Sequence, residues 1–96
     1  MSGLVLSPRA QSDLEAIWDY SAEHWGEDQA EEYLRALWRG IEQVAEDPRR
    51  DRSCEAIRPS YYRHSVEAHV VFYRMTSTGI DVVRVLHQRM DFGRHL

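Results

Sequence analysis

Apolar positions along the chain recur with two different periods, and the change of period divides the sequence. Leu4, Val5 and Leu6 form a short apolar run that stops at Ser7-Pro8. Ser7 offers the oxygen an N-cap needs, and Pro8 suits the first helical position, where its missing N–H costs nothing. Ala10, Leu14, Ile17, Trp18, Ser21 and Trp25 then fall at helical spacing on one face, and Gly26 can take the left-handed conformation that stops a helix. A second helix is predicted at once. Asp28 followed by Glu31 reads as an aspartate version of the capping box, and Ala30, Leu34, Leu37, Ile41, Val44 and Ala45 mark a buried stripe that ends before Pro48. So short a connection makes the two helices antiparallel neighbours. Gly40, which costs about 1 kcal/mol against Ala inside a helix, marks a close approach by another part of the chain.

After the polar connector EDPRRDRS the period falls to two. Glu55 to Arg58, Tyr61 to Ser65, His69 to Met75 and Ile80 to Leu86 read as strands, separated by Pro59-Ser60, a tight Val66-Glu67-Ala68 turn and Thr76-Ser77-Thr78-Gly79. Short successive connections imply an antiparallel meander. In the last strand strict alternation puts Val83 and Val85 on one face and Ile80, Val82 and Leu86 on the other, so both faces are covered and the strand is central. The predicted order is β-α-α-β-β-β, an α+β domain spanning residues 1–96 in which an antiparallel helix hairpin packs on a small, mainly antiparallel sheet.

Charge sharpens this division. Up to Pro48, eleven acidic residues face three arginines; from Arg49 onward, nine arginines face five acids. The acidic helices are either a solvated face or the complement of a partner, and the basic sheet suits an acidic segment or a nucleic-acid backbone. No apolar run approaches the roughly 18–20 residues of a membrane span. With Cys54 as the sole cysteine no internal disulfide can form, and the first residues carry neither a basic nor an apolar signal region, so a cytoplasmic location is expected.

Candidate chemistry is sparse. His24, His64, His69, His87 and His95 form no short ligand pair, Cys54 has no C-x-x-C partner, and the glycines are isolated, so no metal site, cofactor site or phosphate loop is expected. No serine sits in a nucleophile elbow. Trp18, Trp25 and Trp38 at the stripe edges suit packing, whereas Tyr20 lies off the stripe of its own helix and suits partner contact. One enzymatic reading remains open. A ribonuclease can work through positioned cations that stabilise a phosphorane-like transition state while a His moves the proton, and Arg63, Arg84, Arg89 and His95 fit those roles on composition.

Three stretches then carry a resemblance. LSPRAQSDLEAIWDYSAEHWGEDQAEEYLRALWRGIEQVAEDP, HVVFYR and VVRVLHQRMD together resemble the ParE toxins of the RelE/ParE superfamily, from bacterial type II toxin–antitoxin modules. The specific parts are the LS-x-R-A-x-x-D-L-x-x-I-W-x-Y-S opening, the W-G-x-x-Q-A link and the V-L-H-Q strand end. The resemblance implies the same β-α-α-β-β-β fold. It also implies a ParD-like antitoxin whose C-terminal segment folds across the toxin, a hetero-oligomer with antitoxin dimers that meets DNA only through the antitoxin, and toxic action through DNA gyrase. Related RelE-type ribonucleases are expected to carry an Arg near Val70, so Arg63, Arg89 and His95 form an incomplete catalytic set here.

These readings lead to two contact surfaces. The C-terminal tail, with Arg89, Met90, Phe92, His95 and Leu96, is expected to dock on the target as a short mobile segment. An acidic and apolar antitoxin peptide is expected on Trp18, Tyr20, Tyr33, Leu37 and Trp38.

Overall fold

The computed structural model describes residues 3–48 and 60–96. The elements are β1 (Gly3–Leu6), α1 (Pro8–Trp25), α2 (Glu27–Glu46), β2 (Tyr62–Val66), β3 (His69–Met75), β4 (Gly79–His87) and a short α3 (Phe92–His95). The strand predicted at Glu55 to Arg58, like Cys54, lies outside the described residues. The order matches the prediction, with α3 as an unforeseen addition.

Local chemistry accounts for the helix hairpin. Ser7 Oγ accepts the Ala10 N–H at 3.0 Å, and Pro8 opens α1 as its first residue. Gly26, at φ 91° and ψ 162°, ends α1 and begins α2 at a single position. Its N–H donates to Ala22 O and its carbonyl accepts from Ala30 N, each at 3.0 Å. This corrects the capping box expected at Asp28 and Glu31. With Gly26 as the cap, Asp28 falls inside the first turn and no side chain caps the helix. The Glu27 and Asp28 carboxylates act there only through the positive end of the helix dipole.

The sheet order is β1-β4-β3-β2, with β4 paired parallel to β1 and antiparallel to β3. β4 is therefore interior, as its two apolar faces require. Its pairing with β3 slips once: Arg84 opposes Phe72, yet Val82 opposes Tyr73, so Val83 is an extra residue at a bulge. The bulge reverses the alternation. Ile80, Val82 and Val85 all join the core beneath the helices, while Leu86 faces the other side with Val70 and Phe72. The expected grouping of Val85 with Val83, and of Val82 with Leu86, is corrected accordingly.

Beneath the hairpin, Leu37, Ile41 and Val44 meet Val71, Tyr73, Ile80 and Val82, all fully buried. Each such aliphatic side chain contributes about 1.5–3 kcal/mol of burial. Tyr73 takes its hydroxyl out of this layer by donating to Pro48 O at 2.8 Å. Gly40 is also buried, and a Cβ there would lie 2.5 Å from Val66 Cγ2, so the close approach inferred from its cost in a helix is α2 pressing on β2. Trp25 departs from its predicted stripe: at the last turn of α1 it is 63% exposed.

Candidate functional site

β1 has only four residues and β4 has nine, so the second half of β4 loses its parallel neighbour after Leu6. An open edge needs other partners for its backbone groups. Two side chains supply them. Ser7 Oγ donates to Val83 O at 2.7 Å, and Asp13, one turn into α1, accepts the Val85 N–H at 2.9 Å. The same Asp13 carboxylate holds the Arg84 guanidinium through Nε at 2.7 Å and Nη2 at 2.9 Å. Arg84 Nη1 then donates to the His95 carbonyl at 2.8 Å, tying α1, β4 and the tail together.

Further along this edge a groove of about 530 Å³ opens between α1 and the end of β4, walled by Ile17, Tyr20, Trp25, Tyr33, His69, His87 and Met90. Its floor is a hydrogen-bonded chain. Tyr33 Oη accepts the Ala68 N–H at 3.1 Å and shares a hydrogen bond with His69 Nδ1 at 2.6 Å. The His69 ring meets His87 edge to face at 5.2 Å. Burial, reinforced by the neighbouring His87 and opposed by Asp13, pushes the His69 imidazole down to about 4, so it is neutral at physiological pH. Burial likewise raises the Tyr33 phenol, against the Ala68 hydrogen bond. At the lip, Tyr20 stacks on His24 at 3.9 Å and meets Trp25 edge-on at 5.7 Å.

The tail is built differently from the mobile segment expected. Phe92 packs edge-on against Phe72 at 4.9 Å, and Leu96 joins it over Val70, Phe72 and Leu86. Phe92 and Leu96 thus face inward. Arg89 and Met90 stand exposed on the turn before α3, where the Arg89 N–H donates to His87 Nδ1 at 3.1 Å, and His95 is half-buried.

The structure divides the predicted antitoxin contacts. Tyr20 and Tyr33 share the groove, whereas Trp18 and Trp38 lie outside it, Trp18 half-buried and Trp38 exposed. Leu37 is fully buried in the core, a correction: its place on the α2 stripe presents it to the sheet and not to a partner. Arg84 is corrected too. Its side chain is only 11% exposed and is bound by Asp13 and the His95 carbonyl, which gives it a structural place and not a catalytic one. Arg63 stays exposed opposite Phe72 on the outer sheet face. Sequence reasoning missed His69, His87 and Asp13. Tyr33 and His69 lie 36 residues apart and no spacing signals their bond, and Asp13 is one acid among several on α1. Among the described residues no three His, Cys, Asp or Glu side chains gather as metal ligands, and no helix is long and apolar enough to cross a membrane.

An antiparallel helix hairpin on a four-stranded sheet, with its groove at the open edge of the central strand, is the RelE/ParE-like architecture. The chain belongs to the family described as "ParE toxin of type II toxin-antitoxin system, parDE", which matches residues 4–92. It is similar to Toxin ParE1 of Mycobacterium tuberculosis, with 54% identity over 96 residues covering 99% of this chain and 98% of that one. Toxin ParE1 of Caulobacter vibrioides is 44% identical over 91 residues, covering 95% and 94%. A solved structure titled "Chromosomal ParDE TA system from P. aeruginosa" shares the fold, with a TM-score of 0.80 at 17% identity over 91% of this chain and 96% of that chain.

Proposed function

We propose that this ParE toxin arrests growth by binding and poisoning DNA gyrase, and that a ParD-like antitoxin neutralises it by laying its C-terminal segment into the groove walled by Tyr20, Tyr33 and Met90. The complex forms in the cytoplasm as a hetero-oligomer with antitoxin dimers and touches DNA only through them. Arg89 and Met90 are the exposed contacts to the target; Phe92, His95 and Leu96 hold the tail that presents them.

The observation that carries a contact mechanism is the occupation of Arg84. Its guanidinium, with little side-chain exposure, is committed to a carboxylate and a backbone carbonyl that hold α1, β4 and the tail together, and so is turned away from an incoming phosphoryl group. Val70, where a nuclease is expected to place an Arg, lies under the tail with Phe72 and Leu86.

The test is brief expression without antitoxin, following a DNA-damage promoter and total messenger RNA in one time course. Early damage signalling with intact messages supports gyrase poisoning. Early codon-linked cleavage without damage signalling overturns it and makes Arg63, Arg89 and His95 the catalytic candidates of a ribosome-dependent endoribonuclease.

A further inference from the structure

The groove does not end at Trp25. Trp25 and Tyr33 also wall a second depression of about 400 Å³, completed by Gln29, Glu32, Ala36 and Glu67. One wall is therefore shared by an apolar groove and a shelf bearing two carboxylates. Neither Glu32 nor Glu67 has an ion pair or side-chain hydrogen bond among the described residues; the nearby Arg35 pairs with Glu31 instead. Glu67 sits on the tight turn between β2 and β3, at φ 54°, and it lies close enough to Tyr33 to help raise that phenol. The indole of Trp25 lines the same depression as the two acids, its ring largely open to solvent.

An exposed indole draws a cation to its face within about 6 Å, and a flanking carboxylate adds a charged hydrogen bond. A guanidinium meets both demands at once, since its plane stacks while its edge donates. The apolar groove beside it takes the aliphatic or aromatic residues of an amphipathic helix. We infer that the segment docking here is a cationic amphipathic helix, with its apolar face in the groove against Ile17, Tyr20 and Met90 and an Arg laid over Trp25 in the depression that Glu32 and Glu67 also line. This rests on the groove being the antitoxin site and specifies the partner's chemistry there. It also reverses, for this half of the surface, the acidic peptide expected from the basic sheet.

The probes are two synthetic helical peptides with the same leucine face, one carrying Arg and the other Glu at the flanking positions, titrated into the full-length toxin. The Arg peptide should bind about tenfold more tightly at low ionic strength, a preference that shrinks with salt. Glu32→Gln with Glu67→Gln should abolish most of that preference. Glu15→Gln with Glu42→Gln, an equal change of net charge at exposed sites off the groove, should leave it. Equal binding of the two peptides, a preference lost equally in both double variants, or no binding of either overturns the cationic occupant. The antitoxin reading is judged separately, by the affinity of the ParD-like antitoxin for Tyr20→Ala: an unchanged affinity there sinks the groove as antitoxin site even where the Arg peptide binds as expected.

Discussion

Asp13 and Arg84, 71 residues apart, meet through two hydrogen bonds of 2.7 and 2.9 Å with little side-chain exposure on either. The pair works as a bolt. Asp13 also satisfies Val85 N on the open edge of β4, and Arg84 carries the connection to the tail through His95 O.

Removing one half of a largely buried ion pair strands the other, at roughly 3 kcal/mol. Asp13→Ala and Arg84→Ala should each lower the urea midpoint by about that much, and the double variant should lose clearly less than the sum. Additive losses would show that the two side chains act independently.

The tail predicts a separation of stability from toxicity. Phe92→Ala removes the ring packed on Phe72 and should cost about 2 kcal/mol, because Phe92 is only half-buried. Arg89→Ala with Met90→Ala should leave the melting temperature unchanged and reduce growth arrest at least tenfold, as exposed anchors of an interface do. If the double variant kills as efficiently as the parent, target contact lies elsewhere.

His69 gives a pH dependence whose sign is set by its lowered pKa. Between about 4, the folded value, and 6.5, the unfolded one, the unfolded chain binds more protons, so stability rises with pH through that window. The contribution is fully present above 6.5 and is lost as pH falls towards 4. After discounting for solvent screening it amounts to about 2 kcal/mol at most. His69→Gln should flatten this part of the profile in urea titrations at pH 7.5, 6 and 5, and a slope identical to that of the parent would assign the acid sensitivity to the carboxylates.

Gly40→Ala tests the contact between α2 and β2. Helix propensity favours Ala by about 1 kcal/mol, but the new methyl meets Val66 Cγ2, and a β-branched side chain packed in a strand cannot swing away. The variant should be destabilised by about 1–2 kcal/mol net. Val66→Ala in the same chain should recover much of the loss, as judged by chemical denaturation.

How legible the molecule was depends on how local each signal is. α1 was readable end to end because Ser7-Pro8 and Gly26 determine its limits through bonds to immediate neighbours. The start of α2 was not, since Gly26 serves both helices and leaves the Asp28 and Glu31 pattern without its cap role. The faces of β4 were misread at one residue. The Val83 bulge is held by Ser7, 76 positions away, and no reading of alternation along the strand contains that information. The site followed the same rule: Tyr20 was detectable as an aromatic off its stripe, whereas the Tyr33, His69 and His87 chain exists only once α2, β3 and β4 are assembled.

The parallel pairing of β1 with β4 has a further consequence in time. A nascent chain makes Gly3 to Leu6 first, yet the strand they pair with, beginning at Gly79, is made nearly last. During synthesis β1 can only wait, and neither the bolt from Asp13 to Arg84 nor the wall of the groove formed by His87 and Met90 exists until the C-terminal residues have left the ribosome. The groove and the bolt are therefore completed only in the last step of translation, so the surface that the proposed antitoxin would cover comes into being all at once, at the end.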